Sequence, residues 1–170
     1  MIIVAGIARS GLTVTMQMLH AGEYPAFEPY NIGEIPWNAC KGLAVKLVDA
    51  QLHIPPRGKK QKIIILSRNL TQQARSLNKF FGAITGLPLT SETALIRSLK
   101  RDYAVIYRWA RKQRTLALKF EDIINKPLEA AKAIAEFSGK NLNIEKMAGV
   151  VIDRTPECHP ELLELRMIKG

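Results

Sequence analysis

The sequence predicts an α/β protein: a mostly parallel sheet between two layers of helices, in a three-layer α/β/α arrangement of the phosphate-loop nucleotide-binding type. Three observations carry this expectation. Short β-branched runs alternate with segments of helical periodicity, which is the pattern of βαβ units. A glycine-bounded turn stands between the first strand and the first helix. With 170 residues there is chain for one three-layer core but not for two, so residues 1–170 read as a single domain.

Residues 1–6 form a β-branched run too short for a helix, and Gly6 closes it. Leu12, Met16 and Leu19 then recur at helical spacing, so a helix begins near Gly11. Residues 23–38 carry Pro25, Pro29 and Pro36 and read as loop. Residues 43–48 are a candidate second strand, and a basic loop with Pro55, Pro56 and Gly58 follows. Residues 62–67, KIIILS, are the clearest buried strand of the chain. Leu70, Ala74, Leu77 and Phe81 extend a helix to about Phe81, with residues 82–88 as a breaker region.

Thr90 or Ser91 caps a long helix reaching about Arg114. Leu95, Leu99, Tyr103, Ile106 and Trp109 share one face of it, and Arg97, Arg101, Arg108, Arg111 and Lys112 gather opposite. Residues 115–120 are a further strand. Pro127 suits the first turn of a helix that Gly139 ends, and Asn143 caps a last short one.

Lys and Arg number 25 against 15 Asp and Glu, a formal charge of +10 that implies an anionic partner. No apolar run approaches the roughly 20 residues of a membrane-spanning helix. The apolar stretch 2–8 has no basic segment before it and meets Arg9 too soon for a signal peptide, so a cytoplasmic protein is expected. Cys40 and Cys158 stand far apart, without metal-ligand spacing, and read as reduced thiols. His20, His53 and His159 have no partners at such spacing either, and no metal is expected.

Residues 6–13 read GIARSGLT. Against the phosphate-loop pattern GxxxxGK[ST], Gly6, Gly11 and Thr13 match, while Leu12 occupies the lysine position. Backbone N–H groups of such a turn point into one concavity, and the helix start adds roughly half a positive charge. A phosphate or sulfate is therefore expected at residues 8–13. Leucine cannot serve the outer phosphates of a triphosphate, which disfavours ATP or GTP hydrolysis, whereas Arg9 supplies a cation from within the turn. The plainer alternative is a glycine turn that serves only strand–helix packing.

Arg68 follows the 62–67 strand directly and so lies at the same sheet edge as the first turn. If the two strands are neighbours, their tips are about 5 Å apart and two anionic groups of one ligand could be held. Taken alone, a strand-end arginine is ordinarily solvated or paired with an acid.

These residues resemble a family. The run IIVAGIARSGLTVTMQML resembles the 5′-phosphosulfate loop of sulfotransferases, in bacterial forms G-x-x-R-S-G-T-[ST] before a helix. KIIILSRNLTQQARSLNKF is similar to their 3′-phosphate motif, a strand, R-[DN]-P and a serine eight residues after the arginine, the separation of Arg68 and Ser76. LALKFEDIINKPLEAAKAIAEFSG resembles the later strand, Y-E-D-L-x-x-x-P turn and helix, and GLAVKLVDAQL the second-strand region. The similar segments keep the family's order over roughly half the chain.

The resemblance implies 3′-phosphoadenosine 5′-phosphosulfate (PAPS) as donor, with no metal, and transfer of a sulfuryl group to a hydroxyl or amine acceptor. It implies that Gly6, Arg9, Ser10, Gly11, Leu12 and Thr13 hold the 5′-phosphosulfate, and that Arg68 and Ser76 hold the 3′-phosphate. Arg9 stands where many members have the lysine that stabilises the bridging oxygen, through charge-assisted bonds worth roughly 1.5–3 kcal/mol each. Lys46 matches a second-strand lysine. There are departures: Leu12 replaces a hydroxyl residue, Leu70 replaces the motif's proline, and Lys46-Leu47-Val48 stands where small-molecule members have Lys-Thr-His. A base must then come from Glu28 or Glu34 in the proline-rich loop, or from Asp49.

Other readings stand beside this one: a non-catalytic nucleotide-binding or interaction module of the same fold, and a phosphate-loop kinase or nucleoside triphosphatase. The basic face between Arg97 and Arg114 could meet nucleic acid. A solvated helix face is preferred there, because Tyr103, Tyr107 and Trp109 mostly share the apolar side instead of interleaving with the arginines.

Overall fold

The computed structural model describes residues 1–27, 37–53 and 61–158. Its five strands are β1 (Ile2–Gly6), β2 (Ala26–Phe27), β3 (Ala44–Val48), β4 (Lys62–Ser67) and β5 (Arg114–Lys119). All pair in parallel, in the order β2-β3-β1-β4-β5. The helices are α1 (Leu12–Ala21), α2 (Leu70–Thr85), α3 (Glu92–Ala110), α4 (Phe120–Asn125), α5 (Pro127–Ser138) and α6 (Ile144–Gly149).

Strand β1 is central and buried throughout, with Ile2 opposite Ala44 on one side and Lys62 on the other. A strand covered on both faces needs apolar side chains on both, and the β1 and β4 sequences supply them. Successive residues alternate between two cores. Ile2, Val4, Ile64 and Leu66 pack with α1, α5 and α6 through Met18, Leu19, Ile134 and Met147. Ile3, Ala5, Ile63 and Ile65 pack with α2 and α3 through Ala74, Leu77, Leu99 and Ile106. The α/β sheet between helical layers is as the sequence predicts.

Elements β4, α5 and α6 lie where the pattern places them. Gly139 ends α5 at φ 70°, and the Asn143 side chain accepts from the Lys146 N–H at 3.0 Å. Four boundaries differ. The proline-rich loop contains β2, where Pro25 lacks a donor but its carbonyl accepts from Ala44 at 2.8 Å, so an edge strand tolerates it. Helix α2 runs through Gly82 and stops at Gly86, whose φ of 77° suits a left-handed cap. Helix α3 ends at Ala110, because Arg114 already donates to Gln61 as the start of β5. Phe120 opens α4, with Glu121 and Asp122 in its first turn, where acids favour a helix start.

The order β3-β1-β4 brings the turn after β1, Asp49 after β3 and Arg68 after β4 to one edge of the sheet. In open parallel sheets that edge is where ligands bind. Among the described residues no helix is long and apolar enough to cross a membrane.

Candidate functional site

The turn after β1 is shaped by two glycines. A Cβ on Gly6 would lie 2.6 Å from Ser10 Oγ and 3.0 Å from the Leu66 carbonyl. Gly11 has φ 101°, and a Cβ there would come within 2.8 Å of the Phe120 ring. Between them Arg9 adopts φ 67°, a conformation costing a non-glycine residue roughly 1–3 kcal/mol. Such strain persists only where neighbours over-determine it.

Here three side chains from other elements do so. Asp49 Oδ1 accepts from the Ala8 N–H at 3.2 Å. Gln73 Nε2 donates to the Ala8 carbonyl at 2.9 Å, and an Arg68 guanidinium nitrogen reaches the Arg9 carbonyl at 3.4 Å. The Ser10 N–H closes the turn on the Ile7 carbonyl at 3.2 Å.

Gly11 caps α1 without a side-chain hydrogen bond, and among the described residues no acid stands in the first turn to neutralise the positive end of the helix. The Ser10 hydroxyl is fully buried and makes no hydrogen bond among the described residues, although it lies close enough to Tyr103 to favour that residue's ionised form slightly. Burial dominates at Tyr103 and pushes its phenol well above the usual range, since an apolar surrounding disfavours the charge. Thr13 Oγ1 accepts from Lys46 Nζ at 3.1 Å, which puts the β3 lysine beside the helix start. The Leu12 side chain instead packs into the core under α1, so only its backbone faces the turn.

The second corner is built differently. Arg68 is only 6% exposed, a charge that must be well partnered to persist. Its guanidinium donates to the Pro156 carbonyl at 2.7 Å and stacks over Phe120 at 4.4 Å from the ring centroid. Arg154 lies 5.4 Å from the same ring. The Cys158 N–H bonds Gln72 Oε1 at 2.8 Å, fastening this late segment to α2. Asn69 caps α2 by accepting from Thr71 and Gln72, while its own N–H donates to Glu121 Oε1 at 2.8 Å. The Glu121 carboxylate is thus a fastening of α4 to α2.

Arg9 connects the corners: its Nε donates to Ser76 Oγ at 3.1 Å, and its guanidinium sits 5.3 Å from the Phe80 ring. Arg9, Ser10, Gly11, Thr13, Lys46, Arg68 and Ser76 therefore meet at one sheet edge. Glu28 and Glu34 lie outside the described residues, as do His159 and most of the basic loop. Asp49, weighed as a base, has its carboxylate engaged with the turn.

Gln73, Phe120 and Pro156 are not expected at the site from the sequence, and Tyr103 is expected only on the apolar face of its helix. Gln73 left a trace, since it occupies an apolar slot of α2, three residues after Leu70 and four before Leu77. Elsewhere, the basic residues of α3 are exposed, and Arg101 pairs with Asp102 at 3.3 Å. Tyr107, grouped with the apolar side, is 40% exposed and stacks on Tyr103 with ring centroids 6.0 Å apart. Cys40 is buried, which raises its thiol pKa. Among the described residues no three His, Cys, Asp or Glu side chains come together as a metal site.

No family model matches the chain, and no curated protein matches its sequence. Solved structures do match its fold. Mouse sulfotransferase SULT7A1, complexed with PAP, aligns with a TM-score of 0.58 at 18% identity, over 89% of this chain and 62% of that one. The sulfotransferase domain from the curacin biosynthetic pathway aligns with a TM-score of 0.61 at 14% identity, over 85% and 75%. The chain thus spans less than two thirds of the length of the mouse protein. An α/β sheet in this order, a glycine turn after its first strand and alignment with both of these structures identify the fold of the chain as that of the sulfotransferases.

Proposed function

We propose that the protein binds PAPS across the edge where β1, β3 and β4 end, and transfers its sulfuryl group to a hydroxyl or amine acceptor. The observation that carries this reading is the convergence of Arg9, Arg68 and Ser76, joined by hydrogen bonds although Arg9 and Ser76 are 67 residues apart. The residues present fit such a group, because the buried Ser10 hydroxyl makes no hydrogen bond among the described residues beyond its proximity to Tyr103, and Gly11 gives the helix start no side-chain cap.

In this reading Gly6 leaves room for Ser10, and the backbone of Ser10, Gly11, Leu12 and Thr13 holds the 5′-phosphosulfate. Arg68 and Ser76 hold the 3′-phosphate. The donor supplies an activated sulfur–oxygen bond; the chain supplies position and charge. Arg9 and Lys46 are the cations beside the 5′ end, placed to stabilise negative charge on the bridging oxygen as that bond breaks and the acceptor bond forms. The acceptor proton needs a base, a role we assign to Glu28 or Glu34, because Asp49 is committed to the Ala8 N–H. No metal enters this scheme, and the whole chain acts as one domain, in the cytoplasm.

A second reading is a nucleotide-binding module without turnover, favoured by the apolar tip of β3, where Val48 stands beside the committed Asp49 carboxylate. One measurement precedes both. Adenosine 3′,5′-bisphosphate at 100 times its Kd stabilises the fold by about 2.7 kcal/mol, read as a rise in Tm. An unchanged Tm at millimolar ligand, or a larger rise with magnesium ATP, overturns the nucleotide assignment. Labelled-sulfate transfer to an acceptor panel then separates enzyme from module.

A further inference from the structure

Gln73 is fully buried, on the side of α2 that also buries Ala74, Ser76 and Leu77. An amide is expensive to bury unless both its ends are bonded, and here both are. Nε2 donates to the Ala8 carbonyl at 2.9 Å, and Oε1 accepts from the Tyr103 hydroxyl at 2.9 Å. The orientation is forced. Turned over, the amide would set its oxygen against the Ala8 oxygen, two acceptors in contact.

The bond matters for the turn because of what lies across the same peptide. Ala8 C=O and Arg9 N–H share one planar trans unit, so a carbonyl held by Gln73 sends the N–H the opposite way. Flipping that unit would rotate φ of Arg9 from 67° back to negative values, which any arginine prefers. Local preference thus pulls the peptide over, and the buried amide opposes it.

We propose that Gln73, braced by Tyr103, is the positioning residue of this turn: it holds the 8–9 peptide so that the Arg9 N–H, and not the Ala8 carbonyl, faces the anion cradle. The inference rests on reading the turn as an anion cradle, and extends it to a residue on α2 that touches no ligand. A flipped peptide would present an oxygen to an oxyanion, so the clamp is worth more to binding than to folding.

Calorimetry with inorganic pyrophosphate, which needs the turn alone, tests this beside adenosine 3′,5′-bisphosphate, which needs both corners. Gln73→Leu is expected to lower pyrophosphate affinity about tenfold, or 1.4 kcal/mol. In an Arg9→Gly background, where glycine takes both signs of φ at similar cost, the same change costs no more than about twofold. A general packing role would give equal losses in the two backgrounds, and that result, or no loss in either, overturns the proposal. If Gln73→Leu does not fold, Tyr103→Phe decides: about threefold weaker binding with Arg9 present and none with Arg9→Gly supports it, and unchanged affinity overturns it. A wild-type protein that binds pyrophosphate but not the bisphosphate sinks the nucleotide reading and leaves the clamp standing. One that binds neither sinks both.

Discussion

The two cationic corners of the site are opposites in construction. Arg9 hangs from a strained backbone, is partly exposed, and is drawn sideways to Ser76 and Phe80. Arg68 leaves an ordinary strand end and is buried, with two of its guanidinium nitrogens on carbonyls and its face on Phe120. At Arg9 the strain sits in the backbone, and the contacts of the side chain include a hydrogen bond to Ser76 and the Phe80 ring. At Arg68 the side chain is itself a structural part. A charge that does both jobs should fail in both when removed, whereas a charge on a prepared turn should fail in binding alone.

The largest effect to expect from that difference is at Arg68. Arg68→Ala strips a charged donor from the Pro156 and Arg9 carbonyls, and should cost about 2–3 kcal/mol of stability. It should also weaken the bisphosphate at least about a hundredfold. Chemical denaturation and titration of the same sample check the two numbers together. A variant that keeps wild-type stability would erase the contrast.

Arg9→Gly should separate the properties. Relief of the φ 67° strain and the added freedom of the unfolded glycine act in opposite directions, so stability should stay within about 1 kcal/mol of the parent. Bisphosphate affinity should nonetheless fall about tenfold, since the guanidinium is lost. Equal stability losses in both arginine variants would show that the corners are alike.

The smallest effect sharpens the picture of what lies beneath the turn. The buried Tyr103 phenol titrates above its unfolded value of about 10, because burial disfavours its charge. The folded state therefore holds this proton more tightly than the unfolded state. The contribution is complete below about pH 10 and is lost as pH rises above it. Tyr103→Phe should flatten the alkaline arm of a stability–pH curve; an arm of unchanged slope would mean that the ring is not sealed from water.

How much of this could be read from the chain follows from how local each cause is. The run Lys62–Ser67, the Pro127 and Gly139 boundaries of α5 and the Asn143 cap are set by neighbouring residues, and their pattern is visible in the sequence. The glycines of the first turn were visible for the same reason, and so was the juxtaposition of Arg9 and Arg68 once β1 and β4 were taken as neighbours. The φ of Arg9 was not, because the groups that hold the turn around it, Asp49, Gln73 and Arg68, come from distant parts of the chain. The burial of Arg68 depends on Pro156, 88 residues away, and no spacing rule reaches that far. Gly82 misled in the other direction: a glycine in a helix is a weak break when the next turn already provides Gly86.

Phe120 joins the two halves of the site. Its ring is what a Cβ on Gly11 would strike at 2.8 Å, and the same ring carries the Arg68 guanidinium 4.4 Å from its centroid. A phenyl group has no internal give, so it works as a gauge block: the gap between the helix start and the buried cation is set by a slab of fixed thickness. Trimming that ring would let the helix start and the buried cation shift together, so one side chain ties two parts of the sheet edge that the chain itself keeps far apart.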